Sequence, residues 1–228
     1  FDGELPAEAN AGEEAAELCV AWGKPAPRPL VGLGMATHGV DASPTVLETL
    51  RGLRISHLRA DVNPANANWL EALREADDLA WTVDARLELA VSFSADANGE
   101  MDALVSALGG LRAQPGSILV YHAAEKVASL AMMCQLREKL DAAGQFSPLA
   151  AGTNAYFAEL NRNRPHEDTP ALVCYSINPQ VHAFDDLSLV ETLGAQPATV
   201  ASAWHLSSRR VVVSPVTLRP RFNPNATD

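Results

Sequence analysis

The sequence predicts an α/β fold, a (β/α) TIM-type barrel that is incomplete, with about seven β/α units and the eighth strand missing. Short apolar runs alternate with helix-length amphipathic stretches from Leu30 onwards. Strand starts recur roughly every 30 residues, the size of one strand–helix unit. Strands that are apolar on both faces and joined by helices form parallel sheets covered by helices. The length of 228 residues is close to the usual length of such barrels, about 250 residues.

Seven apolar runs are the predicted strands, and helix candidates lie between them. The runs occupy residues 30–35, 55–62, 87–93, 117–122, 148–153, 171–177 and 211–218. Ser43 is expected to cap the first helix, with Pro44 at its first position. Gly144 is expected to end a later helix, and Ser188–Glu191 matches a capping box. Pro197 breaks the segment that follows, which predicts two short helices before the last strand.

An open doubly wound sheet is the alternative architecture. No GxGxxG follows the first strand, and the string GLGMATHG (32–39) is rich in glycine but lacks that spacing, so dinucleotide binding has little support. Residues 1–28 are acidic and then rich in proline, and we interpret them as an N-terminal lead-in or linker. Residues 29–228 form the predicted partial barrel domain. Because the chain starts at Phe1 rather than Met, we expect a domain cut from a longer protein.

The composition argues against several classes of partner. Seventeen Lys and Arg residues stand against 28 Asp and Glu residues, a net charge of −11. Nucleic acids and anionic membranes attract basic surfaces, so neither is an expected partner. No apolar run of about 18 residues predicts a membrane-spanning helix. Cys19, Cys134 and Cys174 lie in apolar contexts with no CxxC pair, which predicts buried thiols and a cytoplasmic, reducing location.

No cofactor and no metal ion are expected from the sequence. Neither HxH nor HExxH spacing occurs among the six histidines, so a metal centre has weak support. No GxSxG elbow is present, which disfavours a nucleophilic serine.

Polar side chains gather where the predicted strands end, and this is where (β/α) barrels place their active sites. The densest set lies in residues 152–185, after the fifth and sixth strands. Arg59 and Asp61 share strand parity, so their side chains point to the same side. Amides, hydroxyls and arginines suit a polyol or sugar acid, whose hydroxyls need many directed hydrogen bonds. The predicted substrate-binding residues are Asn154, Tyr156, Arg162, Asn178, Arg219, His38 and Arg59.

Glu159 and His182 are the predicted catalytic residues, and either could act as the general base on water. Asp185 lies three residues after His182, and a carboxylate near an imidazole fixes its tautomer and raises its basicity. Simpler roles stay open for these residues. Glu159 could be a surface acid, His182 and Asp185 a pair that holds a loop, and Arg59 part of an ion pair at the barrel mouth.

Five strings carry a resemblance to a known family. They are PLVGLGMATHG (29–39), LRISHLRADV (53–62), TNAYFAELNRNRP (153–165), INPQVHAFDDLSLVETLGAQ (177–196) and SPVTLRPRFNPNAT (214–227). The sequence over residues 29–228 resembles bacterial D-apionate lactonase-type proteins. The resemblance implies a glycosidase-like (β/α) barrel joined to β-rich segments in a longer protein. It also implies that the protein opens the lactone of a branched sugar acid.

The resemblance and the polar strand ends together predict a lactone hydrolase that acts on a small-molecule sugar-acid lactone. Glycosidase barrels of the common clan place Asn-Glu after strand four and a second Glu after strand seven. Here strand four is followed by His-Ala-Ala-Glu125, and strand seven by Thr-Leu-Arg-Pro-Arg, without an acid. A retaining glycosidase needs two carboxylates about 5 to 5.5 Å apart, so this departure favours an ester-type reaction. A glycoside hydrolase-like enzyme and a non-catalytic carbohydrate-binding barrel are the alternatives.

The missing strand has two expected consequences. An open barrel lacks one wall of its pocket, which favours an inactive fragment. The unpaired edges of the first and last strands are expected to support self-association.

Overall fold

Strands and helices alternate along the chain in the computed structural model, which describes residues 29–35, 43–125, 127–166, 168, 172–180 and 183–218. The strands are β1 Leu33–Gly34, β2 His57–Val62, β3 Arg86–Phe93, β4 Pro115–His122, β5 Leu149–Tyr156, β6 Leu172–Ile177 and β7 Arg210–Val216. The helices are α1 Pro44–Leu53, α2 Trp69–Thr82, α3 Ala97–Leu108, α4 Leu130–Ala142, α5 Phe157–Arg162, α6 Asp186–Leu193 and α7 Gln196–Ser207. Each of the seven predicted strands overlaps one of these strands.

The strands form one parallel sheet in the order β1-β2-β3-β4-β5-β6-β7. The order never reverses, so the sheet lacks the switch point of a doubly wound fold. Side-chain hydrogen bonds from Arg59 of β2 to Asn154 of β5 and Ser214 of β7 show that the sheet curls. The structure is therefore a curled half-barrel, which confirms the prediction of an incomplete TIM-type barrel.

Alternating side chains along the strands pack into two separate apolar layers. Ile118 and Val120 of β4 belong to the large cluster that joins the sheet to α2, α3 and α4. Leu119 and Tyr121 of the same strand point the other way, into a smaller cluster with Cys174 of β6. A third cluster packs α5 and α7 on β6 and β7. The smaller cluster marks the interior of the half-barrel, where the polar residues described below also lie.

The helix boundaries agree with most of the local signals. Pro44 begins α1, and Gly144, with φ of 70°, lies two residues after the end of α4. The predicted capping box at Ser188 is wrong, because Asp185 is the N-cap of α6 and its side chain accepts the Ser188 N–H. The carboxylate three residues earlier supplies the stronger acceptor for that donor. In the part of the chain that the structure describes, no helix is both long and apolar enough to cross a membrane.

Large apolar side chains are exposed along both edges of the sheet. β1 pairs only with β2, and β7 only with β6, within the described residues. Leu30 and Val31 beside β1 are exposed, as are Val216 and Leu218 at the end of β7. Helix α6, which precedes α7 and β7, buries none of its residues. Among the described residues, both edges of the sheet therefore carry exposed apolar side chains.

Candidate active site

Arg59 is the centre of a buried polar cluster inside the half-barrel. It is 3% exposed, and β2 places it in register with Glu88 of β3. Its Nη2 donates to Asp61 Oδ1 at 2.7 Å and to Asn154 Oδ1 at 3.1 Å, and its Nη1 donates to Ser214 Oγ at 3.0 Å. One guanidinium thus joins three strands, and the same-side placement of Arg59 and Asp61 predicted from strand parity is confirmed.

Charge balance keeps Arg59 ionised in this position. Burial disfavours the charged guanidinium, but its interactions with Tyr121 and Asp61 outweigh that cost, so the pKa of Arg59 lies above its ordinary value. The Asp61 side chain remains 42% exposed. The cluster therefore presents a carboxylate towards solvent while its cation stays inside.

The cluster continues through Ser214 to Glu88 and His57. Ser214 Oγ donates to Glu88 Oε1, and both residues are buried. Glu88 Oε2 lies 3.7 Å from Nε2 of the half-buried His57. The His57 ring lies against β1, since a Cβ at Gly32 would come within 2.3 Å of it. These partners offset the cost of burying the Glu88 carboxylate away from water.

Two features of β5 place Asn154 opposite Arg59. Gly152 has φ of 153°, and a Cβ there would lie 1.9 Å from the Cys174 carbonyl oxygen, so only glycine lets β5 approach β6 so closely. The register between the strands shifts after Gly152, and the Ser176 hydroxyl donates to the Asn154 and Ala155 carbonyls at 3.1 and 2.9 Å. The shift leaves Asn154 half-buried, with its side-chain oxygen on Arg59.

Tyr121 and Cys174 line the interior beside Arg59. Burial raises the pKa of the Tyr121 hydroxyl well above its ordinary value, and burial raises the pKa of the Cys174 thiol to about 12. Tyr121 and Arg59 interact electrostatically, although neither Tyr121 Oη nor Arg59 Nε makes a hydrogen bond of standard geometry with the described residues. The Tyr121 hydroxyl and the Cys174 thiol are therefore neutral at physiological pH, and Arg59 carries the charge in this region.

Glu159 lies on α5, directly after β5. It is 3% exposed and its Oε1 pairs with Nη1 of Arg162, whose side chain is exposed. The simpler reading of Glu159 as a surface acid is therefore wrong, because α5 packs on β5 and β6 and leaves Glu159 buried. Tyr156 ends β5 at the N-cap of α5 and is half-buried.

The remaining predicted residues divide into one that is described and three that are not. Asn178 follows β6, is buried, and its Oδ1 accepts the Gln180 N–H at 3.2 Å. This turn holds the amide and leaves its amino group to donate elsewhere. His38, His182 and Arg219 lie outside the described residues. Asp185, the expected partner of His182, uses its carboxylate to cap α6.

Glu88 is the main residue that the sequence reasoning missed. It lies near the start of β3 rather than at its end, so a search of strand ends passes over it. Its signal was a charge within the apolar run LELAVSF, at a position where an uncompensated carboxylate is costly. Ser214 lies within the predicted seventh strand, and its link to Arg59 depends on the curl of the sheet.

The described residues contain no metal-binding cluster, and an open depression lies away from the Arg59 cluster. Within the described ranges no three His, Cys, Asp or Glu side chains come together as a metal site. An open depression of about 560 Å³ lies elsewhere, lined by Ser56, Trp81, Arg86 and Arg112 among others. These residues lie at the amino ends of β2, β3 and β4, opposite to the end where barrel active sites form.

Comparison with known proteins gives the family. A family model described as D-apionate lactonase, TIM barrel domain, matches residues 31–228. The D-apionate lactonase of Brucella anthropi is 25% identical over an alignment of 227 residues, and the match covers 94% of this chain and 37% of that protein. The chain thus spans less than half of the relative's length. A Bombyx mori aldo-keto reductase structure aligns with a TM-score of 0.41 and 13% identity, covering 82% of this chain and 62% of that one, which is too low to support any argument. The family match covers most of the chain, and the protein belongs to the D-apionate lactonase family through its TIM barrel domain.

Proposed function

We propose that the chain is the barrel part of a hydrolase that opens the lactone of a sugar acid. Its family membership and the similarity to a D-apionate lactonase support this class of substrate. The observation that carries the proposal is the buried Arg59 cluster, which holds Asp61 and Asn154 in fixed positions at the carboxyl ends of β2 and β5.

The cluster provides directed hydrogen-bonding groups for a polyol. Arginine can only donate, so Asn154 must turn its oxygen to Arg59 and its amino group away from it. The partly exposed Asp61 carboxylate can accept hydrogen bonds from sugar hydroxyls. In this proposal Arg59 acts through Asp61 and Asn154, while Tyr156, Asn178, Arg162, His38 and Arg219 complete the binding surface.

Lactone opening requires a base for water and donors for the developing oxyanion. Water adds to the carbonyl carbon, and the bond between that carbon and the ring oxygen breaks. The proton taken from water by the base passes to the ring oxygen, and the product is a hydroxy acid. Glu159 or His182 is the proposed base, and the ion pair with Arg162 fixes the Glu159 carboxylate in one orientation.

The free thiols Cys134 and Cys174 fit a reducing compartment, and we propose the cytoplasm.

The test is lactone opening by the full-length protein, followed as proton release at constant pH and corrected for spontaneous hydrolysis. Glu159→Gln and His182→Ala are compared with Glu138→Gln and His205→Ala, which change exposed residues of α4 and α7. We expect the rate of lactone opening to fall about a hundredfold or more in at least one of the two site variants. The two control variants should keep the wild-type rate. Wild-type rates in both site variants would refute the assignment of the base. A wild-type protein that binds the lactone without opening it would instead be a carbohydrate-binding barrel.

A further inference from the structure

Ser214 and Glu88 form the support on which the Arg59 guanidinium rests. Ser214 of β7 bonds Nη1 of Arg59, and the same hydroxyl bonds Glu88 of β3. All three residues are at least nine-tenths buried. No residue near them in sequence supplies these contacts, since Ser214 lies 155 positions from Arg59 and 126 from Glu88.

The donor and acceptor of each hydrogen bond among Arg59, Ser214 and Glu88 follow from the chemistry of the side chains. Arginine has five donors and no acceptor, so Ser214 Oγ must accept from Arg59. The hydroxyl has a single proton, which therefore points to Glu88, and Glu88 must accept it. The hydrogen bonds therefore run in one direction, from Arg59 to Ser214 to Glu88. Without an acceptor at Glu88, the Ser214 hydroxyl could rotate and point its proton towards the Nη1 protons. Glu88 thus sets the orientation of a hydroxyl that in turn sets the orientation of Arg59.

The Nη2 end of the guanidinium faces the two side chains that are proposed to bind the substrate. Nη2 bonds both Asp61 and Asn154, and the guanidinium is planar and rigid. A rotation that frees Nη1 therefore also displaces Nη2 from its two partners. We propose that Ser214 and Glu88 are positioning residues, which hold Arg59 so that Asp61 and Asn154 meet the substrate in one geometry. The effect on catalysis rests on the proposed function, whereas the effect on Arg59 does not.

A purely structural role is the competing explanation, because a buried network that joins β2, β3 and β7 also stabilises the barrel. Ser147 offers a matched comparison. It is also buried, and its hydroxyl donates to the Pro115 carbonyl at 3.1 Å, at the amino end of the sheet. A structural role predicts the same consequences for Ser147→Ala and Ser214→Ala, namely lower stability with unchanged substrate binding.

The experiment uses the full-length protein with Ser214→Ala, Ser214→Thr, Glu88→Gln and Ser147→Ala, assayed where each variant remains folded. We expect Ser214→Ala and Glu88→Gln to raise the KM for a sugar-acid lactone about tenfold with a smaller change in kcat. Ser214→Thr keeps the hydroxyl and should restore most of the loss, and Ser147→Ala should leave KM unchanged. An equal KM in Ser214→Ala and Ser147→Ala would overturn the proposal.

A second measurement is independent of activity. Nitrogen-15 NMR signals of the Arg59 guanidinium, assigned by their loss in Arg59→Lys, should show two distinct Nη groups in the wild type because rotation is restrained. In Ser214→Ala the two should merge, and in Ser147→Ala they should remain distinct. Distinct Nη signals in Ser214→Ala would overturn the positioning role. If the wild type opens no lactone but the Nη signals merge as expected, the proposed function fails and the positioning of Arg59 stands.

Discussion

Arg59 Nη1 donates a 3.0 Å hydrogen bond to Ser214 Oγ across the interior of the half-barrel, between residues 155 positions apart. The contact joins β2 to β7, which share no backbone hydrogen bonds. Removing the guanidinium would leave Glu88 and Ser214 buried without their cationic neighbour.

We therefore expect Arg59→Met to lower the free energy of unfolding by about 3 kcal/mol. Urea titration followed by circular dichroism measures the change. The control is Arg74→Met, which alters an exposed arginine of α2 and should shift the free energy by less than about 0.5 kcal/mol. Equal effects of the two substitutions would show that the buried network adds no stability.

Gly152 tests whether β5 and β6 must approach each other closely. A Cβ at this position would lie 1.9 Å from the Cys174 carbonyl oxygen, and neither backbone can yield without disturbing Asn154. We expect Gly152→Ala to destabilise the protein by about 3 kcal/mol. Gly99→Ala, in α3 with open space around it, should instead stabilise by about 0.5–1 kcal/mol. Both values come from thermal or urea unfolding, and a neutral Gly152→Ala would contradict the close approach.

The sequence predicted the strands well because each is a distinct apolar run between helix-length segments. Parity along β2 was enough to pair Arg59 with Asp61, since residues two positions apart in a strand share a face. The links from Arg59 to Asn154, Ser214 and Glu88 were beyond sequence reasoning, because they depend on how far the sheet curls. Curling is a property of all seven strands together, and no local pattern reports it.

The cysteines show the same limit on a smaller scale. Apolar flanks predicted that Cys134 is buried, and this is wrong, because α4 turns Met133 and Leu136 to the core and Cys134 to solvent. Cys174 is buried as expected. The residues adjacent in sequence do not show which face of a helix a side chain lies on, whereas the spacing of apolar residues three and four positions apart does.

The two thiols should differ sharply in reactivity. Burial raises the pKa of Cys174 to about 12, so at pH 8 only about one thiol in 10⁴ is a thiolate. We expect iodoacetamide at pH 8 to modify Cys134 in the native protein and Cys174 only after unfolding in urea. Peptide mapping by mass spectrometry gives the two rates. Comparable native rates at both cysteines would contradict the buried position of Cys174.

Helix α6 should lose stability in acid. The Ser188 N–H and hydroxyl bond the Asp185 carboxylate and hold the pKa of Asp185 below its ordinary value. A folded-state pKa that is depressed gives stability that is present above the unfolded value, about 4, and is lost as the pH falls through the folded value. The Cα chemical shifts of α6 should therefore move towards coil values below pH 4.

The control for this titration is Asp185→Asn, which keeps a capping oxygen but does not ionise. Its α6 shifts should vary less with pH than those of the wild type. Asp186→Asn, one residue further along the exposed start of α6, should leave the wild-type titration in place. Identical profiles for wild type and Asp185→Asn would show that another group governs the helix.

The exposed edges of the sheet should make this chain self-associate. Val216 and Leu218 at the end of β7, and Leu30 and Val31 beside β1, leave apolar surface next to strand edges that pair with no further strand among the described residues. Such edges pair with other chains unless a charge or cover prevents it. We expect the average mass of the 228-residue chain to rise with concentration in sedimentation or light-scattering measurements.

A lysine on the edge should reduce this association. Val216→Lys places a charge on β7, whereas Phe146→Lys replaces an apolar residue that is also exposed but lies between α4 and β5, away from both edges. The first should lower the average mass at a given concentration, and the second should not. Equal effects would assign the association to general surface hydrophobicity. A wild-type chain that stays monomeric at about 100 μM, where weak specific contacts already form, would show that the edges do not pair.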